Sequence, residues 1–397
     1  MDAFNMQDAI PWPTWVVLTV CSYLILVRIL RTRNLRRLTQ KYQRYVNDPY
    51  SMSYNTAHDI LKNTFLREFP FMYAFSTQFA LVKSYSIASG TKLLVQTRRL
   101  TTLSRVGKRS EDTGVLIAEL LVSGIDSARG REALAKMNWI HRQYGARIGN
   151  DELIHTLVLF ALEPQRWIDA REWRPLTDLE RVAIFVYWRE IGHRMGMRDI
   201  PATIDALQRW AAAFEASHMV YADSNRRCTT ATLDLFARPL PVFLRRFAIS
   251  VMACFLEPHV RPTLGVEHPP PVLEAVVEWA FWARACAIKY LFLPRWRDMD
   301  VLGKQDSASG RVRRVTYAFE PWYVPEGLSS TIWKMLGSRK PVPGPEYMSE
   351  GYLPRELGPL EYRERSKEDV LREAEEMRQY ALGGGAAGMG CPFSFAG

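Results

Sequence analysis

Histidines in helical context are the residues of this sequence best suited to chemistry. The stretch MNWIHRQYGARIGNDELIHTL, residues 137–157, places His141 and His155 in segments that otherwise have the apolar pattern of buried helices. A neutral imidazole costs free energy to bury unless its ring nitrogens find partners. Each histidine is therefore a ligand for a metal or cofactor, or a core residue bonded to neighbouring backbone.

A di-iron carboxylate site is the first chemistry that the spacing allows. Such sites use Glu and His three residues apart, so that both reach one metal from the same helix face. Three pairs have this spacing: Glu152–His155, Glu190–His193 and Glu215–His218. A di-iron site also needs two bridging Glu on separate helices, and the apolar segments around 65–85 and 240–293 offer few. The alternative is that each pair bonds within itself or to solvent.

Haem ligation is the second chemistry. One neutral imidazole on a helix can supply the proximal ligand of a haem iron. His141, in REALAKMNWIHRQYG, is the better candidate of the opening two, and the nearby Gly145 predicts that it lies near a helix end. The alternative is a core or capping histidine. Glycine-rich phosphate loops, GxSxG and HExxH are absent from the sequence, which disfavours nucleotide, serine-hydrolase and zincin chemistry.

The segments around these histidines resemble a known family. KRSEDTGVLIAELLVSG, MNWIHRQYGARIGNDELIHTLVLFALEPQRWI and WREIGHRMGMRDIP are similar to the fungal ER-bound oxygenases, which include the farnesyl-cleaving oxygenase of the mycophenolic-acid pathway. Bacterial rubber oxygenases, the latex-clearing proteins, share their catalytic domain. The resemblance implies an all-α domain around a buried haem b pocket. It places the Arg-x-x-x-Thr signature at Arg109 and Thr113, and the proximal ligand of the haem iron at His141.

Arg109 and Thr113 are thus the expected catalytic residues, and they are expected to bind the cofactor together with His141. Being four residues apart, they share one helix face. An arginine there can bind a haem propionate or orient a polar group, and the threonine hydroxyl can donate to bound oxygen or water. The residues alone would equally allow Arg109 to be held by Glu111 or Asp112 at a solvated helix start.

The sequence departs from the rubber oxygenases in the residues expected opposite the proximal ligand. Those enzymes use a carboxylate upstream of the arginine, whereas GTKLLVQTRRLTT contains no acid, so either the same acid–base step does not operate or Glu111 or Asp112 substitutes. The distal lysine of some rubber oxygenases has no established match, although Lys83 lies in a plausible region. Because the signature needs one ligand, we expect His155 to support the pocket or the core. His193 is expected to line the distal cavity or to belong to the core.

An apolar N-terminal segment predicts a membrane anchor. No charge occurs between Trp15 and Val27, and Arg28 can snorkel, so residues 12–30 are just long enough to span a bilayer. Residues 31–44 are basic and contain no acid, which predicts a single-pass protein with a cytosolic domain and a short N-terminus, 1–11, across the membrane. The resemblance implies that this membrane is the endoplasmic reticulum, with residues 1–11 on the lumenal side. The alternative is a buried first helix.

No nucleic-acid motif accompanies the basic run, and the five scattered cysteines suit a reducing compartment.

The remaining pattern predicts one all-α domain over residues 45–345. Helices are predicted at 54–84 with an interruption at Pro70, and at 111–123, 130–145, 150–163, 177–196, 202–221, 227–236, 240–257 and 270–293. Thr177 and Glu180 have capping-box spacing. RVRRVTYAF, residues 311–319, is the one weak strand candidate. Residues 346–382 read as a Pro-rich meander and a charged, exposed helix, and 383–397 as a flexible tail.

The leading hypothesis is a membrane-anchored, haem-dependent oxygenase that uses O2 to cleave a C=C bond of an isoprenoid or another apolar secondary metabolite, as the resemblance implies. An anchor suits such a substrate, because prenyl chains partition into the bilayer. The alternatives are a di-iron oxidase built on the Glu-x-x-His pairs, and a non-catalytic membrane protein that binds haem or lipid. The sequence leaves the substrate and the oligomeric state open.

Overall fold

The computed structural model describes residues 12–98, 100, 103–335 and 341–385 of the 397-residue chain. The predictions for residues 1–11 and for most of the tail lie outside the described residues. The helices are α1 Trp12–Lys41, α2 Tyr54–Asn63, α3 Pro70–Ser84, α4 Ala88–Gln96, α5 Leu103–Ala118, α6 Ala128–Arg142, α7 Asn150–Arg171, α8 Asp178–Arg194, α9 Ile204–His218, α10 Asp223–Ala237, α11 Val242–Ala253, α12 Val260–Leu264, α13 Pro271–Tyr290, α14 Leu328–Met335 and α15 Lys367–Leu382. The mostly helical fold confirms the all-α prediction.

The first helix joins the predicted anchor to the predicted basic segment. Among the described residues, α1 is the one helix long and apolar enough to cross a membrane. Its buried residues are Val27, Arg31 and Leu38, so most of its apolar surface is open. Surface of this kind is stable in lipid, because an α-helix satisfies its own backbone hydrogen bonds there.

The centre of the domain is formed by α7 and α8, on which α3 and α2 pack respectively. α8 begins with the predicted capping box, which is confirmed: the Thr177 amide donates to Glu180 Oε2 over 2.9 Å, and the Glu180 amide donates to Thr177 Oγ1. Phe185 and Trp188 of this helix are buried. Burying side chains of this size stabilises the packing by about 1.5–3 kcal/mol each.

Two helix connections are single π-helical turns. Thr64–Glu68 joins α2 to α3, and Glu119–Ser123 continues α5 towards α6. The predicted interruption at Pro70 is confirmed, because Pro70 is the first residue of α3. Proline is tolerated there, since the first helical residue needs no N–H donor.

The C-terminal part packs more closely than its composition predicts. β1 Leu302–Gln305 and β2 Val312–Arg314 form an antiparallel pair, which confirms the start of the strand candidate. α15 was predicted to be exposed, and this is wrong for one face. Val370, Ala374 and Met377 are buried at helical spacing, and the helix packs on α6. This apolar stripe is narrow, and the charged residues between its members make it hard to recognise in the sequence.

Candidate functional site

His141 lies in the last turn of α6. This helix starts behind Ser127, whose hydroxyl oxygen accepts the Gly130 amide hydrogen over 2.9 Å. His141 is partly exposed as a whole residue, but its Nδ1 is buried and has no hydrogen-bond partner in the described part of the chain. Burial and the charge of Arg109 lower the pKa of His141 to about 4. The imidazole is therefore neutral near pH 7, and it has the unused nitrogen that a metal ligand requires.

Arg109 and Thr113 face each other on α5. The Arg109 guanidinium donates to Thr113 Oγ1, and the Thr113 hydroxyl donates to the Arg109 carbonyl oxygen over 2.9 Å. No carboxylate of the described residues lies within salt-bridge distance of Arg109. The charge of Arg109 lowers the pKa of both His141 and Tyr85. Burial has the larger effect on each: it lowers the pKa of His141 and raises the pKa of Tyr85. Arg109 is therefore a cation near His141 that is free to pair with an anion.

Glu111 and Asp112, the candidate substitutes for the missing upstream acid, are almost fully buried and bind the segment after β2. Glu111 Oε1 accepts the amide hydrogens of residues 318–320, two of them over 3.0 and 3.1 Å, and its Oε2 pairs with Arg314. Asp112 accepts the Tyr323 hydroxyl hydrogen over 2.7 Å and pairs with a lysine one turn earlier over 2.7 Å. Three of the four carboxylate oxygens therefore attach the end of β2 and the segment after it to α5, and the fourth pairs within α5.

The helix that carries His141 is supported by the C-terminal part. Lys136 is fully buried, and its Nζ donates to Ser366 Oγ over 2.6 Å. Asn138 donates to Glu373 Oε1 over 2.8 Å and to the Arg194 carbonyl oxygen over 2.9 Å. Both residues lie within two turns before His141. The packing of α15 therefore helps to set the position of the candidate ligand.

His155 belongs to a buried charge cluster. Its Nε2 lies 3.1 Å from Glu215 Oε1, on the neighbouring α9. Lys83 Nζ of α3 lies 3.3 Å from the same carboxylate, 3.1 Å from Glu163 Oε1 and 2.9 Å from Glu257 Oε2. Burial lowers the pKa of Lys83, but the three carboxylates outweigh it and hold the pKa above its usual range. The cluster connects α3, α7, α9 and the loop between α11 and α12.

The structure brings His155 of one Glu-x-x-His pair to Glu215 of another, but Lys83 pairs with the same carboxylate. Glu152 accepts the Ser89 hydroxyl hydrogen, and Glu190 Oε1 accepts from Arg194 Nε over 2.9 Å. His193 is partly buried, and burial together with Arg189 lowers its pKa to about 4. Within the described ranges, no group of three or more His, Cys, Asp or Glu is placed to hold a metal ion. The arrangement therefore gives the di-iron alternative no support.

Neither the partners of Lys83 nor the C-terminal contacts that support α6 were predicted from the sequence. One signal was available, because Glu163 stands in the apolar run LVLFALEPQRW and Lys83 in FALVKSY. Charged residues in buried helices need partners, which predicts a charge cluster without identifying its members. The contact between Asn138 and Glu373 joins residues 235 positions apart, and no local pattern indicates it.

The fold and the site together define a helical domain with one candidate imidazole ligand, in contrast to a carboxylate-rich metal centre. The family model described as "ER-bound oxygenase mpaB/B'/Rubber oxygenase, catalytic domain" matches residues 86–288, and the chain belongs to this family. The resemblance seen in the sequence is thereby confirmed. The matched residues run from just before α4 into α13 and include Arg109, Thr113 and His141.

Curated relatives support the same assignment over nearly the whole chain. The chain is 26% identical to the ER-bound oxygenase mpaB' of Penicillium brevicompactum over 96% of its own length and 95% of the relative's. It is 32% identical to the ER-bound oxygenase mpaB of the same fungus over 81% of both. It is 30% identical to mpaB of Penicillium roqueforti (strain FM164) over 64% of this chain and 90% of the relative.

Proposed function

We propose that this oxygenase is anchored in a membrane, depends on haem b, and uses O2 to cleave a C=C bond of an isoprenoid or another apolar substrate. The observation that carries the proposal is the buried, unpaired Nδ1 of the neutral His141 imidazole. The oxygenase family supports O2 and an organic substrate as reactants. The apolar substrate is proposed because the candidate anchor would place the domain beside lipid.

The residues present fit a haem. A neutral imidazole can donate its lone pair to the iron, and His141 would be the proximal ligand. Arg109, which has no carboxylate partner among the described residues, would pair with a haem propionate. When bound, the haem would supply the redox chemistry with O2 that amino-acid side chains lack.

Thr113 would donate one hydrogen bond to O2 or to a polar group of the substrate and so orient it. Its hydroxyl hydrogen is directed to the Arg109 carbonyl oxygen, and its oxygen also accepts from the Arg109 guanidinium. The hydroxyl can therefore donate to a reactant after it releases the carbonyl. Arg109 would position this hydroxyl through the hydrogen bond that its guanidinium donates to Thr113 Oγ1.

The proposed location is the endoplasmic reticulum membrane, with the domain in the cytosol. The relatives are named ER-bound oxygenases. α1 provides one candidate span. The basic residues in the second part of this helix favour a cytosolic location for the domain that follows. His155 and His193 are proposed to support the pocket indirectly, through the packing of α7 and α8.

Absorption spectroscopy of the full-length protein, purified in detergent, tests haem dependence. We expect a Soret band at roughly 400–420 nm and about one iron per chain. His141→Ala should lose the band and the iron, because the proximal ligand is removed. The matched control is His218→Ala, since His218 is exposed on α9. The control should retain the wild-type spectrum.

Two further outcomes separate the alternatives. Iron without a Soret band, retained in His141→Ala and lost in Glu190→Ala, would favour the di-iron site. A haem-loaded protein that consumes no O2 with prenylated aromatic substrates would indicate a binding protein without turnover. An active, colourless and iron-free wild-type protein would refute haem dependence altogether.

A further inference from the structure

One face of α13 is apolar and exposed along the length of the helix. Val272, Val276, Trp279, Trp282 and Tyr290 recur at helical spacing, and each is at least 50% exposed. We call these five residues the α13 face. Monomeric soluble proteins rarely expose a contiguous apolar surface of this kind, and two exposed tryptophans make it unusual.

The charged residues of α13 before its last turn are all paired with residues of the protein body. Glu274 pairs with Arg261 over 2.6 Å, and Arg284 pairs with Glu172 over 2.9 Å. Glu278 pairs with an arginine of α7. Between Pro271 and Ile288, these three are the only charged residues. The α13 face itself therefore contains no charged residue, and Glu278, whose side chain is 52% exposed, lies at its edge in an ion pair.

Hydrogen bonds connect the end of α13 to α1, the candidate membrane span. The Tyr23 hydroxyl donates to the Leu291 carbonyl oxygen over 2.7 Å, and Arg31 Nε donates to the Phe292 carbonyl oxygen over 2.9 Å. Tyr23 and Arg31 are separated by about 12 Å along the helix axis, at 1.5 Å per residue. Residues 291–293 therefore lie beside the last turns of the apolar part of α1, which ends at Leu30.

The surroundings of this contact have the composition of a membrane–water interface. Leu291 and Phe292 are 54% and 60% exposed, and Trp296, 75% exposed, stands between Arg295 and Arg297. Tryptophan and arginine side by side are typical of the headgroup level of a bilayer. An apolar surface that lies beside a membrane-spanning helix at the level of the lipid headgroups, and faces the bilayer, contacts lipid.

The neighbouring helix α11 extends the same surface. It packs against α13, and its first turns expose Val242, Phe243 and Phe247 by 77%, 80% and 59%. Arg246, also exposed, lies beside Phe247 and can reach anionic headgroups. Two adjacent helices thus present large apolar side chains together.

We propose that the α13 face, residues 290–296 and the start of α11 are embedded in the membrane interface and contact lipid acyl chains directly. The domain would then have a second attachment to the bilayer beside the α1 span, and its orientation towards the membrane would be fixed. The partner is the lipid bilayer itself. The proposal does not depend on haem, because it rests on the exposed surface and on the contact with α1.

Quenching by brominated lipid tests the proposal on the full-length chain. The wild type and the double variant Trp279→Phe/Trp282→Phe are reconstituted in phosphatidylcholine vesicles with and without bromine near the start of the acyl chains. Among the described side chains, five tryptophans are exposed, namely Trp12, Trp15, Trp279, Trp282 and Trp296. We expect the double variant to lose about two-fifths of the emission that brominated lipid quenches, since two of these five are removed. The matched control is Trp210→Phe, because Trp210 is half-buried against Phe214 on α9.

The outcomes distinguish lipid from the other possible surroundings. The proposal is supported if the emission lost in the double variant is the part quenched by brominated lipid and if Trp210→Phe leaves that part unchanged. It is refuted if iodide in the aqueous phase quenches that emission instead, because the face would then lie in water. It is also refuted if neither quencher reaches it, because a protein surface, such as a second copy of the chain, would then cover the face.

Discussion

The side-chain amide of Asn138 donates to Glu373 Oε1 over 2.8 Å, three residues before His141. The other oxygen of the same carboxylate pairs with Arg142, the residue that ends α6. One acid of α15 therefore holds α6 on both sides of the candidate ligand. Since a metal ligand must be held within a fraction of an ångström, this contact connects the C-terminal helix to the proposed chemistry.

Glu373→Ala is expected to lower haem content without touching the proposed site. Asn138 would lose one of its two hydrogen bonds, which destabilises the fold by about 1–3 kcal/mol. The haem-to-protein ratio and the midpoint of urea unfolding measure both effects. The control is Glu375→Ala on the same helix, whose exposed side chain pairs with Arg378. Equal haem content in the two variants would contradict a positioning function for Glu373.

Lys136 is expected to make stability depend on pH in the alkaline range. Burial lowers its pKa to about 8, whereas the unfolded chain has the ordinary value of 10.5. Between these values the unfolded state binds more protons, so the free energy of unfolding should rise with pH, by up to about 3 kcal/mol. Below about pH 8 both states are charged and this contribution is constant.

Urea unfolding at pH 7.5 and pH 10 measures this dependence as the difference between the wild type and Lys136→Met. Methionine retains much of the volume of the lysine and carries no charge, so the variant should lack the rise. The comparison removes the effect of tyrosines that titrate in the same range. A variant with the same slope as the wild type would show that another group causes the dependence.

The secondary structure could be predicted from local patterns because the helices carry their own signals. The spacing of Thr177 and Glu180 predicts the start of α8, and Pro70 predicts the start of α3. α5 was different: its first turns, around Gly107 and Lys108, have no apolar stripe, so the prediction began only at residue 111. The helix starts earlier because Val106 and Gly107 are buried against distant residues.

The candidate site could be predicted only in part. His141, Arg109 and Thr113 were identified through the family resemblance, and their function stays a prediction. The contacts of His155 with Glu215, and of Glu111 with residues 318–320, depend on which helices pack together. Packing is decided by the sum of many long-range contacts, so no window of the sequence contains it.

The Lys83 cluster is expected to be essential for stability. Lys83→Met would leave Glu163, Glu215 and Glu257 close together without the cation between them. Breaking a buried ion pair by removing one partner destabilises by about 3–5 kcal/mol. Thermal unfolding measures the loss, and Lys92→Met is the control because Lys92 is exposed on α4. Similar midpoints for the two variants would mean that Arg166, which also pairs with Glu163 and Glu257, compensates fully.

The last prediction concerns the charge state of His141 in the haem-free protein. Burial is the main cause of its low pKa and the Arg109 charge adds to it, so Arg109→Met should raise the pKa of His141 from about 4 while leaving it below 6.5. In the wild type, the unfolded state takes up this proton first, so stability falls as pH decreases from 6.5 to about 4, by up to about 3 kcal/mol. The variant should lose less stability over that window.

NMR titration of isotope-labelled histidine measures this pKa directly, with His141→Gln to assign the signal. Arg147→Met is the matched control, since Arg147 lies near in sequence and is exposed. We expect the control to titrate like the wild type. If Arg109→Met leaves the pKa of His141 unchanged, the guanidinium is too far from the imidazole for the two to act on one cofactor through their charges. Arg109 would then have to be placed outside the proposed haem site.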